Sequence, residues 1–163
     1  GQYSKAGEFV YDRPFLWGSK RTGPDLHREG GKNPSSWHFK HMYNPRSTSA
    51  GSIMPRYPWL ISNTLDRSQM KDKMTLMKNT FDVPYTKAEI DSADAWADNQ
   101  AAKIVRDIYA EANDVKVSID KQKAAEGDKF VPLEKREITA LISYLQRLGT
   151  DIKTTQVQTA SNN

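Results

Sequence analysis

Six of the eight prolines and seven of the nine glycines fall within the first 62 of 163 residues. That crowding rules out long helices or paired strands there, because proline removes a backbone donor and glycine raises the cost of ordering the chain. Residues 1–62 therefore read as loop-rich, with one short helix expected around Ser35–Met42, "SSWHFKHM", behind Pro34 and with a serine available as its cap. A segment so poor in regular structure needs something other than itself to pack around, and a cofactor is one such thing.

The remainder is patterned for helices. Leu65, Met70, Met74 and Met77 fall roughly on one side of a helix over 65–79, which Pro84 ends. Thr86-Lys87-Ala88-Glu89 has the form of a capping box. It opens a longer helix to about Ala112, with Ile90, Ala93, Ala97, Ala101, Ile104, Val105 and Ile108 on one apolar face. Residues 113–129 are mostly polar, a helical continuation or a solvated connection. From Leu133 the last helix carries Ile138, Leu141, Ile142, Leu145 and Leu148, and Gly149 supplies its stop. The tail from Thr150 has the composition of a disordered segment. The expected class is all-α with long loops, in one domain.

Charge divides the chain. Residues 1–60 hold nine Lys/Arg against four Asp/Glu, a net of +5, and residues 61–163 hold fifteen against sixteen, a net of −1. The basic third also contains three of the four tryptophans and all three histidines. Such a mixture suits nucleic acid, an anionic cofactor or an acidic partner surface. The chain has no cysteine, which excludes disulfides, thiolate metal sites and cysteine nucleophiles within it. No run approaches the roughly 18 apolar residues of a membrane span.

Several constellations bear on chemistry. His38 and His41 share a helix face, with His27 upstream, and zinc would suit such a set; packed or surface histidines are the plainer alternative. "KRTGPDL", Lys20 to Leu26, and "GGK", Gly30 to Lys32, have the residues of a phosphate loop without its spacing. Basic residues among Trp17, Trp37 and Phe39 fit single-stranded nucleic acid or a solvated surface over a core. No nucleophile elbow is present, and Asp25 with Glu29 offers carboxylates at a spacing that alone means little. In "SIMPRYPWL", Ser52 to Leu60, Pro55 and Pro58 stiffen the backbone after Met54, so its thioether is aimed. A thioether is a soft ligand suited to a haem iron, or else Met54 packs on Trp59.

Three stretches, "GQYSKAGEFVYDRPFLWGSKRTGPDL" (Gly1 to Leu26), "WHFKHMYNPRS" (Trp37 to Ser47) and "SIMPRYPWL", closely resemble the mono-haem cytochrome c subunit of cbb3-type cytochrome c oxidases, the CcoO/FixO family. "VPYTKAEI" (Val83 to Ile90) and "EITALISYLQRLGTDIK" (Glu137 to Lys153) are similar to that family too. The resemblance implies a class I cytochrome c-like domain over 1–149, with long loops, a helical insertion at 64–129 and a C-terminal helix at 133–149. It implies Met54 as the distal axial ligand of a haem c iron. Pro24 of the Gly23-Pro24 pair would offer its carbonyl to the proximal histidine ring. Trp17, Arg21, Tyr57 and Trp59 are candidates for the haem wall and propionate contacts.

The function implied is non-catalytic electron transfer in aerobic respiration. A di-haem cytochrome c subunit would supply electrons and the haem–copper catalytic subunit would receive them, at the periplasmic face of a bacterial inner membrane. The family attaches its haem through Cys-x-x-Cys-His just ahead of the region matching residue 1. This chain holds no such motif, so it is expected to be a truncated, haem-free fragment whose attachment segment and membrane anchor lie upstream. None of the three histidines matches the proximal ligand. Without its usual neighbours, the apolar face of residues 133–149 is expected to find new cover by repacking or self-association. The competing readings are a non-haem protein-binding module with an acidic partner and, more remotely, a nucleic-acid binder.

Overall fold

In a computed structural model the described residues are Leu26 and 29–150. They form helices α1 (Ser35–Tyr43), α2 (Pro45–Thr48), α3 (Trp59–Ser62), α4 (Met70–Phe81), α5 (Lys87–Asp91), α6 (Ala93–Glu111), α7 (Asn113–Glu126) and α8 (Glu137–Arg147). Two short 3-10 turns, Gly127–Lys129 and Leu133–Lys135, lie between α7 and α8. Among the described residues there is no strand, only an isolated antiparallel bridge between Thr64 and Arg136. The all-α expectation holds. No helix among them is long and apolar enough to cross a membrane.

The core lies where α1, α6 and α8 pack against one another. Phe39 of α1 meets Ile104, Val105 and Ile108 of α6, with Ile138 and Ile142 of α8 and Leu133 of the preceding turn. Val115 and Ile119 of α7 extend the same cluster. Burying a side chain of this size contributes about 1.5–3 kcal/mol, so this cluster is what holds the long loops in place. The segment expected as an insertion thus supplies much of the core. The apolar face of α8, for which new cover was expected, lies against α6 and α1 of the same chain.

Several local expectations change. The helix predicted over 86–112 is two helices that break at Ser92, whose hydroxyl turns back to donate to the Ala88 carbonyl at 2.7 Å. The capping box is present as read: Thr86 Oγ1 accepts from the Glu89 N–H, and the Glu89 carboxylate accepts from the Thr86 N–H. No serine side chain caps α1; its N-cap is Pro34, and Glu111 Oε2 accepts the Ser36 N–H at 2.9 Å instead. Leu65 lies outside α4, its N–H donating to the Lys135 carbonyl at 2.8 Å. The stretch from Leu133 opens as a 3-10 turn, and α8 proper starts at Glu137. Gly149 follows α8 with φ +72°, the left-handed stop that glycine adopts without penalty. The tail expected to be disordered lies, beyond Thr150, outside the described residues.

Candidate functional site

The candidate site is the loop from α1 to α3. Asn44 leaves the helical region (φ −150°), and Pro45 at the first position of α2 restarts it, since proline needs no N–H there. The Asn44 carbonyl accepts both the N–H and the hydroxyl of Ser47. Gly51 takes φ +78° and turns the chain, with the Ser52 N–H donating to the Ser49 carbonyl. The next residues run without helix to Tyr57.

Met54 sits in that run, half-buried, its N–H donating to Ser52 Oγ at 3.2 Å. The run is tied on both sides. Tyr57 donates its N–H to the Met42 carbonyl at the end of α1, 3.0 Å away. Past Pro58, Leu60 and Ile61 of α3 pack against the core cluster. Tyr57 and Trp59 meet edge-on, with ring centroids 5.3 Å apart and planes at 77°. Ile53 is 79% exposed and Trp59 49% exposed. A soft sulfur donor thus lies on a proline-stiffened backbone flanked by uncovered apolar side chains.

Of the residues the sequence singled out, Met54, Tyr57 and Trp59 come together in this loop. Trp17, Arg21, Gly23, Pro24, Asp25 and His27 lie outside the described residues. The histidines take different roles. His38 is only 2% exposed, and its Nε2 has no hydrogen-bond partner among the described residues. Burial pushes its pKa down, opposed by Glu29 and assisted by His41. His41 stacks on Trp37, centroids 4.4 Å apart, and its Nδ1 hydrogen-bonds the Thr48 hydroxyl. Burial lowers its pKa as well, again against Glu29. No group of three or more His, Cys, Asp or Glu side chains converges as a metal site among the described residues. The zinc alternative therefore gains no third ligand there.

Glu29 is 3% exposed: its Oε1 accepts from Asn33 Nδ2 at 2.8 Å, while among the described residues Oε2 has the Lys32 ammonium, at 3.5 Å. The Gly30-Gly31-Lys32 stretch is structural. Gly30 donates its N–H to the Leu148 carbonyl at 2.9 Å, and Gly31 donates to Gln146 Oε1 at 3.0 Å. A cleft of about 610 Å3 lies beside that turn, lined by Lys32, Lys103, Asp107, Glu111, Gln146 and Arg147 among others, and Met54 is not part of it.

Arg136 escaped the sequence reading. It stands in "LEKREI", a charged stretch that reads as solvated surface, yet it is 2% exposed. Its Nε–H donates to the Val131 carbonyl at 2.9 Å, and Nη1 donates to the Ile61 carbonyl and to Gln122 Oε1, both at 3.0 Å. The guanidinium carbon lies 5.2 Å from the Phe130 ring centroid. The only signal available beforehand was an arginine immediately ahead of a strongly apolar helix face.

A family model described as cytochrome c oxidase, mono-heme subunit/FixO matches residues 1–152, a span that includes the whole Met54 loop and every core helix. No curated protein matches the sequence at a significant level.

Proposed function

The chain belongs to the FixO family, the mono-haem subunit of cytochrome c oxidase, and from that premise we propose that it carries electrons through one haem c held on its Met54 side. The observation that supports this most is the loop itself. It presents a half-buried methionine just ahead of the restraint of Pro55 and Pro58, with Trp59 and Ile53 uncovered beside it. Those residues would fit a haem: a soft sulfur donor for its iron and apolar neighbours for the macrocycle. When bound, the haem supplies the one-electron chemistry.

The chain's own residues then have limited tasks. Met54 would hold the haem iron through its sulfur, a donor that favours the reduced state. Tyr57 and Trp59 keep water from that side. Gly23, Pro24, Trp17 and Arg21 are proposed, from the resemblance, for the proximal second shell and the haem wall. His38 and His41 are not proposed as proximal ligands: His38 is enclosed, and His41 is occupied by Thr48 and Trp37. The 163 residues hold no cysteine, so the thioether links to a haem c would come from outside this sequence.

As a subunit, the protein makes and breaks no bonds in substrate. It relays electrons from a di-haem cytochrome c subunit to the haem–copper subunit that reduces oxygen, at the periplasmic face of the inner membrane. Residues 64–129 are proposed to serve stability more than docking, since α6 and α7 carry Ile104, Val105, Ile108, Val115 and Ile119 of the core.

The test is the optical spectrum of the haem-loaded subunit with and without Met54→Ala. A low-spin spectrum that turns high-spin in the variant is the expected result. An unchanged spectrum would remove Met54 as the ligand while leaving the family intact.

A further inference from the structure

We infer that Arg136 is a positioning residue for Met54, acting through α3. The inference rests on Met54 being the axial ligand proposed above. A haem iron is sensitive to where its sulfur donor sits, and Met54 lies on a run with no helical hydrogen bonds of its own. Its place is therefore set by whatever fixes the chain before and after it.

Upstream and midway, single hydrogen bonds hold it: Ser52 Oγ accepts the Met54 N–H, and the Met42 carbonyl accepts the Tyr57 N–H. Downstream one side chain reaches into α3 itself. Arg136 donates to the Ile61 carbonyl in α3 while holding the Val131 carbonyl and the Gln122 amide. The backbone around it repeats the attachment. Glu137 donates its N–H to the Asn63 carbonyl at 3.1 Å, and Leu65 donates to the Lys135 carbonyl at 2.8 Å. Residues 61–65 are thus laced to 135–137, at the start of the most apolar-faced helix of the core.

A buried guanidinium is a costly way to achieve this. All three of its hydrogen-bond acceptors are neutral; burial disfavours its charge, and Glu126 and Glu134 oppose that from beyond ion-pair distance. Packing alone would be served as well or better by an apolar side chain of the same volume. What an apolar side chain cannot do is reach three acceptors on three separate segments in one planar fan. Fixing α3 against both the α7 end and the α8 start needs that geometry. With Pro58 and Pro55 limiting the backbone between them, the position of α3 is passed along to Met54.

The test is imidazole binding to the ferric, haem-loaded subunit, where imidazole competes with Met54 for the iron. Arg136→Met is expected to bind imidazole about tenfold tighter than the parent, the fold-change that corresponds to the one of its three lost hydrogen bonds that reaches α3, at Ile61. Arg136→Lys, which cannot reach all three acceptors, is expected to shift the affinity the same way by a smaller factor, and it serves if Arg136→Met does not fold. Val115→Ala weakens the same core but removes none of the Arg136 hydrogen bonds, and is expected to leave the affinity unchanged. A second readout needs no haem: amide exchange at Ile61, Asn63 and Leu65 should speed up in Arg136→Met and not in Val115→Ala. Parental imidazole affinity in the Arg136 variants, or an equal shift in Val115→Ala, would overturn the inference. Met54→Ala separates the two layers. If that change leaves the iron closed, the ligand assignment itself fails; if it opens the iron and the Arg136 changes do nothing, only the positioning role fails.

Discussion

The Glu111 carboxylate accepts the backbone N–H of Ser36 at 2.9 Å, so the last residue of α6 caps the first turn of α1 across 75 positions of sequence. The arrangement places a negative charge at the positive end of α1 and supplies an acceptor that Pro34 cannot. It also locks the helix that carries Met42, to which the Met54 loop is tied. Glu111→Ala is expected to cost about 1 kcal/mol, a typical loss for a cap. In a domain of this size that lowers Tm by about 2–4 °C. Glu111→Gln keeps an acceptor and should lose less. Thermal unfolding of the two variants, ranked in that order, is the check; an Ala variant as stable as the parent would show the cap to be idle.

His38 predicts a dependence of stability on pH. It is buried, and its folded pKa lies below the ordinary 6.5 because burial disfavours the imidazolium. Glu29 opposes that shift and His41 reinforces it. The unfolded chain therefore binds a proton that the folded chain resists, and the unfolded state gains as pH falls. Stability should be full above 6.5 and decline below it, flattening once the pH has passed the folded value. The slope cannot exceed about 1.4 kcal/mol per pH unit for each proton involved. His41 contributes with the same sign. Urea unfolding between pH 7.5 and 5 should show a slope that shrinks in His38→Gln and shrinks further when His41 is also replaced. The acidic groups with lowered pKa, Asp66, Glu89 and Asp114, titrate below this window and leave it clean.

Gly30 and Gly31 should respond differently to the same substitution. A Cβ on Gly30 would stand 2.5 Å from the Leu148 carbonyl oxygen and 2.6 Å from that of Gln146, both backbone atoms that cannot step aside cheaply. At Gly31 nothing lies within 4 Å, but φ is +71°. Gly30→Ala is therefore expected to cost about 1–3 kcal/mol through forced displacement of the α8 end. Gly31→Ala should cost about 1 kcal/mol from backbone strain alone. Denaturant midpoints of both variants decide it, and equal losses would mean the close approach at Gly30 is relaxed elsewhere.

The parts of this fold legible in the sequence are those set by local rules. The Thr86/Glu89 capping box, the apolar face of α6 and the Gly149 stop each depend on residues a few positions apart, and each stands in the structure. The parts that were hidden depend on distant partners. Ser92 breaks a helix that periodicity carries straight through, because its hydroxyl bonds back to the Ala88 carbonyl and the chain turns there. The cap on α1 comes from Glu111, and the charge on Arg136 is absorbed by carbonyls and an amide from three other segments. No pattern in "LEKREI" distinguishes an arginine that will be enclosed from one that will be solvated. At the site, the place of Met54 just ahead of two prolines was readable; the hydrogen bond from the Tyr57 N–H to the Met42 carbonyl was not.

Trp59 offers the sharpest separation between a surface side chain and a cofactor contact. It is half-exposed and meets only the Tyr57 ring edge-on among aromatic neighbours in the described structure. In the haem-free chain Trp59→Ala should therefore cost about 1–3 kcal/mol, from one such aromatic pair and the half of the side chain already buried. If Trp59 forms part of the haem wall, the same change in the haem-loaded subunit forfeits the additional apolar area that the macrocycle covers, at about 25 cal/mol per Å2. The quantity to measure is the difference of differences: the loss on Trp59→Ala with haem minus the loss without it. A clearly positive value places Trp59 against the cofactor, because no rearrangement confined to the haem-free chain contributes to it. A value near zero would mean that Trp59 faces solvent or another subunit, and that Tyr57 and Ile53 line the Met54 side without it.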